Sequence, residues 1–129
     1  MTQKQKDILL KDLCARLPYG VKCYIPEAND TSILAGVLED DENTLFNFWE
    51  DGRKIQYWHQ LYISEFKPYL FPLESMTEEQ EREYLNTCNG YCTYYWTDET
   101  FDWLNKNHFD YRGLIEKGLA NDATGLNIY

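Results

Sequence analysis

The chain has 129 residues, 43% of them hydrophobic and 16% aromatic, which is material for one compact core and excludes wholesale disorder. Its 22 Asp and Glu against 12 Lys and Arg give a formal charge of -10 at pH 7, which opposes attraction to a phosphate backbone, so no direct nucleic-acid binding is expected. No run approaches the roughly 20 apolar residues that span a bilayer, and the opening MTQKQKDILL lacks a signal peptide's apolar segment, so a cytoplasmic location without membrane contact is the expectation.

In chain order, Thr2 with Gln5 forms a capping-box pattern, and Leu9, Leu10, Leu13, Cys14 and Leu17 recur on one face of a predicted helix, with Lys6, Lys11 and Asp12 off it. Pro18 and Gly20 end that helix. Val21 to Ile25 reads as a strand, the turn formers PEANDTS follow, and Ile33 to Leu38 reads as a second strand with a bulge expected at Gly36. Glu39 to Asn43 is an acidic hairpin tip, Leu45 to Trp49 pairs back, and Asp51-Gly52 signals a type I′ turn into a return strand, Lys54 to Tyr62. Ile63 to Lys67 suits a single helical turn. Pro68 and Pro72 lack amide donors and limit Tyr69 to Phe71 to a short or edge strand.

After that proline-flanked segment the apolar spacing changes to helical. Thr77 and Gln80 form a second capping box for a helix reaching Cys88, which Asn89-Gly90 can terminate. Tyr91 to Trp96 fits either a strand or an extended aromatic clasp. Thr97 or Asp98 caps a third helix carrying Phe101, Leu104 and His108, and Asp110 caps a fourth carrying Tyr111, Leu114, Ile115 and Leu119. The tail from Asn121 is loosely held unless Leu126, Ile128 or Tyr129 docks. The expected fold is α+β: an N-terminal helix and a small SH3-like five-stranded β-barrel over residues 1–73, with a C-terminal helical cap over 74–129, packed as a single unit.

Three runs, LLKDLCARLPYGVK at 9–22, ISEFKPYLFPLESMTEEQ at 63–80 and FDWLNKNHFDYRGLIEKGLA at 101–120, resemble a family of small uncharacterised proteins encoded by phages and mobile elements of gut Bacteroides-type bacteria. The likeness covers about half the chain. It implies a mobile-element origin and a shared scaffold, and it brings no activity, cofactor or catalytic residue with it.

Candidate chemistry is sparse. Cys88-x3-Cys92 with His108 lacks the tighter spacing and fourth ligand of a zinc knuckle, so no metal or cofactor is expected, and all four cysteines read as free, mostly buried thiols. The carboxylates read as a hairpin tip and helix first turns, and His108 reads as structural, in the third helix's apolar register where it complements the dipole. No catalytic residue is assigned. Nine aromatics between Phe46 and Phe71 exceed what a small barrel buries inside, so they are either covered by the C-terminal helices or exposed as a binding groove, for which Trp49, Trp58, Tyr62 and Tyr69 are the candidates. The function expected is therefore a non-catalytic accessory protein that binds a host or phage protein through aromatic and acidic surface. Two alternatives are an acidic inhibitor that imitates nucleic acid, motivated by net charge, and a small hydrolase or deaminase using His59 or His108 with a carboxylate.

Overall fold

The computed structural model describes residues 1–39, 43–50, 53–54 and 60–129. Helix α1, Gln3–Arg16, starts where Thr2 Oγ1 accepts from the Gln5 amide and Gln5 Oε1 accepts from the Thr2 amide, and it passes into a single turn, Leu17–Tyr19. Gly20, at φ 70°, then turns the chain into strand β1, Lys22–Ile25. Strands β2, Asp30–Glu39, β3, Thr44–Glu50, and β4, Arg53–Lys54, follow as an antiparallel meander, with the predicted irregularity between Leu34 and Gly36. Glu50 pairs with Arg53, as a two-residue hairpin requires; Asp51 and Gly52 themselves, most of the acidic tip and Ile55 to His59 of the return strand lie outside the described residues. Leu61 bridges antiparallel to Phe46.

The helical turn Ile63–Glu65 leads into β5, Lys67–Pro72, and the turn Leu73–Ser75 into helix α2, Glu78–Thr87, with its predicted capping box at Thr77 and Gln80. Helix α3, Asp98–Lys106, is capped by Thr97. Two short strands follow, β6, Phe109–Asp110, and β7, Asn121–Asp122. The α+β class is as expected, but among the described residues the sheet does not close into a barrel. The sheet runs β4-β3-β2-β1-β5-β6, with β7 also on β5, and is open. Where closure would need β5 to reach the far end of the meander, β5 instead takes up the parallel strands β6 and β7. Nor is β5 an edge: β1 pairs at Lys67 and Pro68, β7 at Tyr69 and Leu70, and β6 at Phe71 and Pro72. Each neighbour uses two residues, so two missing proline amides interrupt no long ladder.

The predicted fourth helix is absent. Asp110 does cap, its carboxylate accepting from the amides of Leu114 and Ile115 at 2.9 Å each, but it closes a chain of turns. Gly113 and Gly118, at φ 72° and 74°, occupy left-handed backbone that a helix does not use.

The main core joins Leu9 and Leu13 of α1 to Val21, Cys23, Leu34, Phe46, Phe48, Phe66, Leu70, Leu114 and Leu119. Phe66 stands edge-on to both Phe46 and Phe48, at 5.1 and 4.9 Å between centroids. These phenylalanines are thus buried with α1 and the turns after β6, whereas the expected cover was the C-terminal helices. A second, aromatic seam ties α2 and α3 to the sheet: Tyr84 on Trp103, Trp103 stacked on Phe109, Phe109 on Phe71, and Phe71 on Tyr129, at 5.5–6.0 Å.

Helix α1 also buries charge. Asp12, expected on the polar face, is fully buried with Arg16 one turn on. Arg16 Nε and Nη2 donate to the two Asp12 oxygens at 2.8 and 3.1 Å, Arg112 Nε donates to Oδ1 at 3.1 Å, and Arg16 Nη2 also donates to the Phe109 carbonyl at 2.6 Å. Arg16 Nη1 has no hydrogen-bond partner among the described residues; the guanidinium lies 5.3 Å from the centre of the Tyr111 ring, whose face supplies the attraction.

Candidate functional site

Three of the four candidate binding residues named from sequence, Trp49, Tyr62 and Tyr69, are described, and they stand in different surroundings. Trp49 is half-buried in β3, paired with Ile33 and Lys54. Tyr62, 49% exposed, lines a polar groove of about 370 Å³ with Gln3, Lys6 and Asp7 of α1. Tyr69 is half-buried, its ring edge-on to Tyr24 and its carbonyl accepting from Tyr129 Oη at 2.8 Å. Trp58 lies outside the described residues. No ring contact among the described residues joins Trp49, Tyr62 and Tyr69.

Among the described residues, the most exposed aromatics, Tyr91, Tyr94 and Tyr95, lie in the connection between α2 and α3. Left-handed backbone at Asn89 and Gly90, φ 52° and 82°, ends α2 as the Asn-Gly pair predicts and folds the chain back on itself. That reversal brings the Cα atoms of Cys88 and Cys92 to 5.3 Å, and the two residues form a disulfide. The expectation of four free, mostly buried thiols is corrected here: Cys23 is free and buried, Cys14 is free and exposed, and Cys88 and Cys92 are joined. Burial pushes the Cys23 thiol well above its ordinary range, and burial with the nearby Glu39 raises Cys14, so neither has the lowered pKa of an activated nucleophile.

The base of the connection is closed by three threonines. Thr97 Oγ1 donates to the Thr87 carbonyl at 3.0 Å, and Thr87 Oγ1 donates to the fully buried Thr100 Oγ1 at 3.0 Å. Trp96 Nε1 donates to Tyr84 Oη at 2.9 Å and its ring stands edge-on to Phe101 and Tyr111, at 5.4 and 5.9 Å. From this fixed base Tyr94 projects 82% exposed and Tyr95 59% exposed, with the Tyr95 ring stacked on Tyr91 at 6.4 Å. Tyr94, Tyr95, Trp96 and Phe101 line a shallow depression of about 380 Å³. The sequence of Tyr91 to Trp96 fits a strand or a clasp; the segment is neither, being a turn stapled at its start, with Tyr91, Tyr94 and Tyr95 exposed and Trp96 packed into its base. The two cysteines four apart around Asn-Gly were the signal for it.

His108 does not extend α3. It follows the helix with φ 63°, is buried, and stacks on Tyr129 at 3.8 Å, so the expected dipole role is replaced by a ring-on-ring contact. Its Nδ1 has no partner among the described residues, and burial together with the cationic Arg16 and Lys22 lowers its pKa to about 4. No hydrogen bond among the described residues joins its ring to a carboxylate; His59 lies outside them. The docked tail that Tyr129 was expected to make possible is present: Tyr129 Oη accepts from the Lys22 amide at 2.8 Å, and Lys22 Nζ donates to the Ile128 carbonyl. Among the described residues no group of His, Cys, Asp and Glu is placed to hold a metal ion, and no helix is long and apolar enough to cross a membrane. Comparison with protein-family models, curated proteins and solved structures returns no match, so the chain's own geometry carries the functional reading.

Proposed function

We propose that this chain is a non-catalytic binding protein that engages a protein partner through the stapled aromatic connection between α2 and α3. In the mobile-element setting the resemblance implies, the partner is a host or phage protein. The observation that carries the reading is Tyr94, 82% exposed beside Tyr95 at 59%, on a base held by a disulfide and threonine hydrogen bonds. Neighbouring exposed rings are unfavourable in water, and a rigid base lowers the entropy lost when they are covered. Tyrosine gives large contact area from two side-chain torsions, which is why it concentrates at binding surfaces.

The test is site-directed photocrosslinking in extract of the cells that produce the protein. With Tyr94→benzoylphenylalanine a discrete crosslinked partner is expected, suppressed by excess unlabelled protein and not by excess Tyr94→Ser/Tyr95→Ser protein. The same probe at exposed Glu27, in the turn between β1 and β2, serves as the control. Identical products at positions 94 and 27 would remove the reading.

A further inference from the structure

We infer that the aromatic connection takes a basic segment of its partner, with an arginine side chain laid against Tyr94 and Tyr95 and held by carboxylates at the start of α3. The inference rests on the binding reading above and specifies its chemistry. Residues 77–106 carry Glu78, Glu79, Glu81, Glu83, Asp98, Glu99 and Asp102 against Arg82 and Lys106 alone, so this part of the molecule is strongly negative. Asp98, Glu99 and Asp102 are exposed and flank the depression in sequence, two and three residues after Trp96 and one after Phe101. A neutral apolar partner would have to desolvate these carboxylates, and an acidic one would meet like charge. A guanidinium satisfies both features: it spreads flat on a ring face and donates two parallel hydrogen bonds to a carboxylate.

The molecule already builds that arrangement internally. Arg16 and Arg112 lie 5.3 and 4.8 Å from the centre of the Tyr111 ring while both donate to Asp12. The exposed connection holds the same ingredients, tyrosine faces with carboxylates a few residues on in the chain, and among the described residues no cation lies over those faces. Two other depressions among the described residues differ: the one at Tyr62 already sets Lys6 beside Asp7, and the one lined by Leu73, Met76 and Tyr84 holds Glu74 and Glu81 with one aromatic ring.

Calorimetric titration of the full chain with octapeptides alternating glycine with arginine, lysine or glutamine tests this. The arginine peptide is expected to bind, the lysine peptide several-fold more weakly, and the glutamine peptide not at all. Affinity for the arginine peptide falls about tenfold in Tyr94→Ser/Tyr95→Ser, and again in Asp98→Asn/Glu99→Gln, each checked for an unchanged fold by amide exchange protection. Three results overturn the inference: no peptide bound, glutamine bound as well as arginine, or arginine binding undiminished in the tyrosine variant. A crosslinked partner at Tyr94 together with any of these would leave the binding reading standing and remove only its basic specificity.

Discussion

Asp12 shows how one carboxylate holds distant parts of the chain. Both its oxygens are occupied, by Arg16 one helical turn away and by Arg112 beyond β6, and Arg16 in turn reaches the Phe109 carbonyl. A buried ion pair adds little net stability over an apolar pair of equal volume, but removing one member leaves the other charged and unsolvated. Asp12→Ala is therefore expected to cost about 3–5 kcal/mol in chemical denaturation, since it strands a fully buried guanidinium. The double variant Asp12→Leu/Arg16→Met should recover part of that loss. A cost below about 1 kcal/mol for the single change, within the range of surface pairs, would show that the network holds nothing together.

At the scale of elements, the disulfide sets how firmly the aromatic connection is presented. Closing a loop this short removes unfolded-state entropy worth about 2 kcal/mol, and locally it keeps Asn89 and Gly90 in left-handed backbone. Reduction, or Cys88→Ser/Cys92→Ser, is expected to lower stability by up to that amount and to speed chymotryptic cleavage within Tyr91 to Tyr95, while β1 to β3 keep their amide protection. Cleavage at an unchanged rate would mean that the threonine base alone holds the connection. Elements whose signals are local were legible in the sequence: all three helix starts, because each cap joins groups three residues apart, and the β2–β3 hairpin with its bulge near Gly36. The parallel strands β6 and β7 were not, because two residues, Phe-Asp or Asn-Asp, carry no period, and their partner β5 is specified only by the folded whole. Asp12 was misplaced for a related reason: an Asp and Arg one turn apart read as a solvent-facing pair, and what buries them, Arg112 and the Phe109 carbonyl, lies more than 90 residues away. Of the crowded aromatics, Phe46, Phe48 and Phe66 are core, and the most exposed rings lie in a segment whose geometry depends on the Cys88–Cys92 pairing, where the sequence reads as free thiols.

For the molecule as a whole, His108 sits where the sheet, α1, the segment after α3 and the tail converge. Its carbonyl accepts from the Phe71 amide at 2.8 Å, its ring stacks on Tyr129, and the charged groups acting on it are Arg16 from α1 and Lys22 from β1. Burial and those two cations hold it neutral, with a folded pKa of about 4 against 6.5 for a free imidazole. Between these values the unfolded chain binds the proton and the folded chain does not, so stability is lost as pH falls through 6.5 and levels off below 4. From pH 7 to 5.5, before most carboxylates titrate, the loss assigned to this residue is about 1 kcal/mol. His108→Asn keeps a residue tolerant of positive φ and removes the titration, so its stability should change less over that interval than that of the wild type. Tail docking reports the same event: as the ring becomes cationic beside Arg16 and Lys22, exchange of the Lys22 amide, held by Tyr129 Oη, should accelerate before that of β2 and β3. Parallel pH profiles for wild type and His108→Asn would show that carboxylates elsewhere, and not this junction, govern the response to acid.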